Sequence, residues 1–232
     1  MVKLFFGSKH CISVVVPVLN EAGRIKSALA SFENATNVEV IVVDGGSQDE
    51  TVEIAKSLGV QVISSPIGRA CQMNAGAKVA TGDILLFLHA DTRLPAKFDT
   101  LVRETLSKPG IVAGAFELAI DAELPGLRLI ETMVNWRSRF LSLPYGDQAI
   151  FIPADVFQDM GGFPEMPIME DFEFVLRLRR VGRIEIVPVP VLTSARRWQK
   201  LGVAKTTLIN QLIILGYFLG VSPEQLVRWY RR

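Results

Sequence analysis

The 232-residue chain has only two cysteines, Cys11 inside an apolar run and Cys71 in a stretch that reads as helix, and neither belongs to a CxxC or CxxH pair. That excludes a disulfide framework and a cysteine-based zinc site, and it suits a reducing, cytoplasmic setting. Net charge is equally scarce. Lys and Arg number 25 against 24 Asp and Glu, so the basic excess of a nucleic-acid binder is missing and no nucleic-acid partner is expected. There is no GxxxxGKS/T loop, and no GxGxxG follows the first strand-like run, so the ATPase and dinucleotide-enzyme readings lose their phosphate cradles. Long apolar runs are missing too. The densest, LINQLIILGYFLGV at 208–221, is preceded by Lys205 and interrupted by Asn210 and Gln211, and it falls short of the roughly 20 apolar residues of a bilayer span. The opening MVKLFF is too short for a signal h-region, so secretion is not expected. Internal repeats and low-complexity linkers are absent, which points to one domain with a helical C-terminal extension.

What is present is a rhythm. Short β-branched runs alternate with helical patterns: ISVVVPV at 12–18, VEVIVVD at 38–44, VQVIS at 60–64 and DILLFLH at 83–89. Runs almost free of internal charge read as strands buried on both faces, and the segments between them are long enough for crossover helices, so an α/β fold with a mostly parallel sheet is expected. Ser47 and Glu50 read as a capping box, Pro95 and Pro153 stand where a first helical turn would begin, and Gly59, Gly82 and Gly182 where helices would stop. After residue 110 the order is mixed. GAFELAI at 114–120 alternates like a half-exposed strand, a helical stretch covers about 124–141, QAIFIP at 148–153 is strand-like, and a helix is expected over Asp171 to Val181 before the strand-like IEIVPVPVL. Two C-terminal helices follow, the last opened by Ser222 and Pro223.

In an open parallel sheet, ligands sit beyond the carboxyl ends of the strands. There the chain places Glu21 after strand one, Asp44 at the end of strand two, and His89 with Asp91 after strand four. Each acid has a plain reading: Glu21 as a first-turn carboxylate, Asp44 as a turn residue before Gly45 and Gly46, Asp91 as an N-cap-like loop residue. Three on one rim exceed what turn chemistry needs. Such a rim accepts a phosphate-bearing ligand only with a cation to invert the local charge, and Mg²⁺ or Mn²⁺ shared between one or two carboxylates and phosphate oxygens meets that need; His89 is compatible with Mn²⁺. Further on, Glu170 and Asp171 open a helix that ends in Arg179 and Arg180, an arrangement favoured by the macrodipole but also one that aims a general base rigidly. TSARRW at 193–198 reads either as a solvated loop or as a diphosphate and acceptor clamp.

Taken in order, PVLNE, VIVVDGGSQDET, QMNAG, ATGDILLFLHADT, GGFPE and MEDFEF resemble the family 2 glycosyltransferases of the GT-A fold, over about residues 11–198. HADT, RACQMNAGA, YGDQAIF and SARRW are most similar to the subgroup labelled arsenosugar-biosynthesis or radical-SAM-associated glycosyltransferases. The resemblance implies a glycosyltransferase domain over 1–200, with 201–232 a helical extension packed on it. It implies donor contacts from Pro17, Glu21, Asp44, Arg69, Asn74 and Asp91, metal ligation by Asp91 with His89, and a catalytic base at Asp171. Acceptor or diphosphate contacts would come from Asp147, Glu170, Arg196, Arg197 and Trp198. The expected activity is metal-dependent, inverting transfer from a nucleoside-diphosphate sugar to the hydroxyl of an unknown acceptor. The chain departs from the family pattern at four places: Gly45 replaces the second Asp of VVDDGS, Met73 the Arg of ARNxG, His89 the first Asp of DxD, and Ser194 the Gln of QxxRW. The last departure argues against a polymer-extruding synthase. A sugar nucleotidyltransferase, or a nucleotide-binding module without chemistry, are the alternatives. The C-terminal aromatics Tyr217, Phe218, Trp229 and Tyr230 fit packing on the sheet, peripheral membrane contact or a homodimer surface.

Overall fold

A computed structural model describes residues 10–230, so the reading at MVKLFF lies outside it. The first half alternates: β1 (Ile12–Val18), α1 (Ala22–Leu29), β2 (Val38–Asp44), α2 (Thr51–Ser57), β3 (Gln61–Ser64), α3 (Arg69–Val79) and β4 (Ile84–Phe87). The second half is mixed: β5 (Thr92–Arg93), α4 (Phe98–Leu106), β6 (Ile111–Asp121), α5 (Leu127–Leu141), β7 (Phe151–Pro153), α6 (Ala154–Asp159), α7 (Glu170–Val181) and β8 (Arg183–Ser194). Three helices close the described chain: α8 (Arg196–Leu201), α9 (Val203–Phe218) and α10 (Pro223–Tyr230).

All the described strands share one sheet in the order β3-β2-β1-β4-β7-β6-β8-β5. β1 to β4 run parallel, as the apolar runs imply; β7 is antiparallel to β4 and β6, β8 is parallel to β6, and β5 pairs antiparallel at the edge. From β1 the chain moves to β2 on one side and later returns to β4 on the other, so the crevice beyond β1 and β4 is a topological switch point. Pro17 is tolerated in this central strand because β4 pairs with β1 only as far as Val15, so its missing N–H breaks no bond on that side.

The two sheet faces carry separate cores. Val14, Val16, Leu86 and Phe116 pack with Ile25 of α1, Phe98 of α4 and Leu127 of α5. On the opposite face Val15, Val43, Leu85 and Phe87 meet Met73 of α3, Phe157 of α6 and Phe174 of α7. Complete burial of each Val, Leu or Phe is worth about 1.5–3 kcal/mol. A third cluster joins Ile209 and Ile213 of α9 and Leu226 of α10 to Met169 and Phe172 at the start of α7. The C-terminal helices therefore rest on the segment that holds Asp171.

Four local expectations change. β3 is not buried on both faces, because it lies at the sheet edge with only β2 beside it. β6 is mostly buried rather than half-exposed, since α4 and α5 cover one of its faces, at Phe116 and Leu118, and α7 the other, at Ala113 and Ala115. The Ser47–Glu50 capping box does not form: α2 starts at Thr51 without a side-chain cap, and the Ser47 hydroxyl instead accepts from Asn20 N at 2.9 Å. Pro95 also precedes its helix by more than a turn's start, with Phe98 N donating to Pro95 O at 3.2 Å.

A buried ion pair supports the mouth of the sheet. Arg103 on α4 meets Asp99 at 3.1 Å, and the two side chains are 5% and 7% exposed. Arg103 also donates to the carbonyls of His10, Thr36 and Asn37, at 2.9, 2.6 and 3.1 Å. Asp99 accepts from Thr36 N and Oγ1. One guanidinium thus ties the entrances of β1 and β2 to α4.

Candidate functional site

The carboxyl ends of β1 and β2 are laced together by side chains. Gln72 on α3 donates from Nε2 to Val18 O and Val43 O, both at 2.8 Å. A Cβ on Gly45, where the resemblance leads one to expect a second aspartate, would lie 3.1 Å from that same amide and press on it. Asp44 accepts from Gly46 N at 3.0 Å and from Ser47 N at 3.0 Å, so its carboxylate shapes the loop that follows β2. Glu21 N donates to Thr51 Oγ1 and Gln48 N to Asn20 Oδ1, which binds the loops after β1 and β2 into one rim.

Asp91 faces this rim. Arg196, at the start of α8, meets Glu21 at 3.0 Å and Asp91 at 3.5 Å, bridging residues 175 positions apart in the case of Glu21. Burial raises the Asp91 carboxyl above its ordinary range and Glu21 raises it further, while Arg196 and Arg24 oppose both. Two carboxylates crowded on one cation are a donor set that a divalent ion would relieve, and oxygen ligands of this kind suit Mg²⁺ or Mn²⁺. Asp91, Arg24 and Arg93 also line a cleft of about 250 Å³ with Asp121, Ser194 and Gln199. Among the described residues, no three His, Cys, Asp or Glu side chains cluster closely enough to hold a metal unaided.

His89 turns the other way. Its turn is held by Thr92 N donating to His89 O at 3.0 Å and by Ser194 N donating to Asp91 O at 3.1 Å. A Cβ on Gly146 would lie 3.2 Å from His89 Nε2 and 2.9 Å from Asp171 Oδ2, so the glycine separates imidazole from carboxylate by little more than its own backbone. Asp171 is fixed by two amides: Gly146 N donates to Oδ2 at 2.7 Å and Phe172 N to Oδ1 at 2.8 Å. Glu170, buried beside it, meets the half-exposed Arg69 at 3.3 Å. Burial, then Asp171, raise the Glu170 carboxyl, with Arg69 opposing. Burial, helped by Arg69, lowers His89 to about 3 and leaves a neutral ring. Its Nε2 is enclosed, with no hydrogen-bond partner among the described residues. His89 therefore belongs with Asp171, while Asp91, two residues on, belongs with Glu21 and Arg196. One turn joins the two groups.

Asp147 completes the second group, and its Oδ1 is enclosed without a partner among the described residues. Burial, opposed by Arg137 and Arg69 and reinforced by Asp171, pushes it up to about 6 from the usual 3.8. The folded chain thus binds a proton there that the unfolded chain releases, so Asp147 lends stability at low pH that is lost as pH rises through this window. Asp147→Asn mimics the neutral acid, so its melting temperature relative to the unaltered protein should climb from about pH 4 to about pH 7. A constant difference across those melts would contradict this environment for Asp147.

Several supporting residues are not among the sites expected from the sequence. Gln148 Oε1 accepts from Ser138 Oγ at 2.7 Å and from Arg137, while its Nε2 donates to Phe116 O. Arg137 lies 3.5 Å over the Tyr145 ring. Together they set the loop that carries Gly146 and Asp147. The glutamine in YGDQAIF was a usable hint, because a polar residue at the start of an apolar strand needs buried partners. Other expected site residues lie elsewhere. Asn74 clamps the Phe163 backbone, at 2.8 and 2.9 Å, and borders a cleft of about 600 Å³ with Lys78, Phe157 and Phe163. Arg197 stacks 3.5 Å over Tyr230 and donates to its carbonyl. Trp198 packs against the β1 core, and TSARRW continues into α8 rather than forming a loop.

Known proteins resemble this chain in sequence and in fold. Glycosyltransferase AglE of Haloferax volcanii is 29% identical over 170 residues, covering 66% of this chain and 56% of its own. The PGL/p-HBAD biosynthesis glycosyltransferase of Mycobacterium tuberculosis is 40% identical over 100 residues, 39% of each chain. This chain thus spans well under two thirds of either relative. In structure it is similar to S. aureus TarS 1–349 in complex with UDP, with a TM-score of 0.66, 18% identity, and coverage of 79% of this chain and 60% of that one. It is similar also to mannosyltransferase PcManGT from Pyrobaculum calidifontis in complex with GDP-Man and Mn²⁺, with a TM-score of 0.65, 20% identity, and coverage of 89% and 63%. These likenesses establish a GT-A-type fold, with its mixed sheet and flanking helices. The sequence profile of Glycosyl transferase family 2 matches residues 13–157, from β1 through the Asp44 and Asp91 turns to α6, and the chain belongs to that family.

Proposed function

We propose that the chain transfers a sugar from a nucleoside diphosphate to an acceptor hydroxyl in one inverting displacement. The observation that carries this reading is the His89–Asp91 turn, which sends Asp91 to the Glu21–Arg196 rim and His89 to the side of Asp171. The nucleoside lies along the β1 and β2 ends by Pro17, Glu21 and Asp44, and the diphosphate lies toward Asp91, Arg196 and Arg69. A divalent ion, held by Asp91 with Glu21, would supply Lewis-acid stabilisation of the departing diphosphate. Asp171, whose orientation two backbone amides fix, takes the acceptor hydroxyl proton as that oxygen attacks the anomeric carbon. The bond from the anomeric carbon to the phosphate oxygen breaks, and its electron pair leaves with the nucleoside diphosphate.

Support for a nucleotide-sugar donor comes from the structural relatives, whose complexes contain UDP in one and GDP-Man with Mn²⁺ in the other. HADT, RACQMNAGA and SARRW support placement in the arsenosugar-biosynthesis or radical-SAM-associated subgroup, and single transfer rather than polymerisation. Residues 1–200 are read as the transferase domain and 201–232 as its helical extension, a division in keeping with the packing of α9 and α10 on α7.

Calorimetry with UDP and with GDP, each with and without Mn²⁺, tests the reading. Mn²⁺ is expected to tighten one nucleotide by at least about tenfold, or 1.4 kcal/mol, and Asp91→Ala to abolish that gain. An identical Mn²⁺ response in the variant would remove Asp91 from the metal site, and no binding of either nucleotide would remove the donor assignment.

A further inference from the structure

Two helices carry apolar stripes that nothing among the described residues covers. On α5, Leu129, Met133, Trp136 and Phe140 are 55–70% exposed. On α9, Leu208, Leu212, Leu215 and Leu219, the last just past the helix end, are 46–73% exposed. Both sets follow the spacing i, i+4, i+7, i+11, so each occupies one narrow strip along its helix. Each strip lies away from the buried positions of the same helix, Leu127 and Ser138 on α5 and Ile209, Ile213 and Gly216 on α9. Single exposed apolar residues are ordinary; two aligned rows containing Trp and Phe are not.

The rows belong to one region. At the helix starts, the Cβ position of Gly126 lies 3.5 Å from Val203 Cγ1. Beyond the end of α5, Leu143 packs in the cluster that holds Ile209 and Ile213. Charge follows the same division. α5 and residues 196–230 carry eight Lys or Arg and two Glu, leaving 17 basic and 22 acidic residues for the remainder of the chain's 25 and 24. Arg128, Arg139, Lys200, Lys205 and Arg228 are the exposed members besides Arg196, with Arg128 paired to Glu131 and Arg139 to Glu117.

We propose that α5 and α9 form a platform that seats the chain on an anionic lipid surface, with the stripes in the acyl boundary and the basic side chains among the headgroups. No described helix is long and apolar enough to cross a membrane, so the contact is interfacial. A second copy fits the platform poorly, because a two-fold contact would set one basic face against another. α5 leads into the Gly146 loop and α9 packs on Phe172, beside Asp171, so docking brings that end of the site toward the lipid.

The test is cosedimentation with phosphatidylcholine vesicles, pure or with about 30% phosphatidylglycerol, at low and high salt. The anionic vesicles should bind about tenfold more protein than the neutral ones, and salt should erode that difference. Trp136→Ser with Phe140→Ser, or Leu212→Ser with Leu215→Ser, should abolish binding while leaving the melting temperature and nucleotide affinity unchanged, since these side chains face outward. Failure to sediment with any vesicle overturns the proposal. So does undiminished binding by both double variants, and so does a dimer, seen by analytical ultracentrifugation, that those variants dissociate.

Discussion

An Asp171→Asn variant is expected to lose about 10²- to 10⁴-fold in turnover, the usual contribution of a positioned general base. The asparagine has nearly the shape of the carboxylate but cannot accept the acceptor's proton. Nucleotide affinity should hold, because Asp171 sits with Gly146 and His89 while Asp44, Glu21 and Asp91 belong to the other group. One complication is local. Both oxygens of Asp171 accept from backbone amides, at 2.7 and 2.8 Å, so the new amide must turn an NH₂ toward one N–H. That mismatch lowers stability by about 1–3 kcal/mol, the usual penalty for an unmatched buried donor. Single-turnover rates measured well below the variant's melting point, together with nucleotide titration, separate the two effects. Near-normal turnover would remove Asp171 from the base position, whatever the family resemblance implies.

The second large effect concerns stability. Arg103→Leu keeps the apolar stem but strips Asp99 of its buried partner and removes one donor from each of the backbone carbonyls of His10, Thr36 and Asn37. Breaking a buried pair by removing one member costs about 3–5 kcal/mol, since the remaining charge has been desolvated without compensation. Denaturant titration should show this as a lower midpoint with little change in slope. Exchanging Arg103 and Asp99 together for apolar residues should cost less than Arg103→Leu alone, because no charge is then left unpaired. A loss under 1 kcal/mol in the single variant would mean that water reaches Asp99 and that the knot does not hold the entrances of β1 and β2.

How far the sequence reaches depends on how local each feature is. β1, β2 and β4 are legible because apolar runs with turn signals dictate strands within a few residues, and Asp44 follows because it ends its strand. Ser47 misleads for the same reason: the sequence offers it a neighbouring helix to cap, whereas the fold offers Asn20, 27 positions away, and that contact prevails. GAFELAI alternates in hydrophobicity, yet β6 has helices packed on both of its faces and loses the solvent that alternation leads one to expect. The α5 segment has apolar residues on two sides, which read alike as core in a linear pattern. Only its docking through Leu127 and Ser138 shows which row is left outside.

The amino-acid sequence on its own therefore determined most of the strands and helices, β5 and α8 excepted, together with the acidic strand ends and the family pattern, because periodicity and turn chemistry act between near neighbours. Tertiary structure decided how the charges pair. Arg196 reaches Glu21 across 175 positions, Gly146 comes between Asp171 and His89, and one turn parts His89 from Asp91. Such pairings depend on distances in space set by strand order and helix docking, and no local pattern in the chain encodes them.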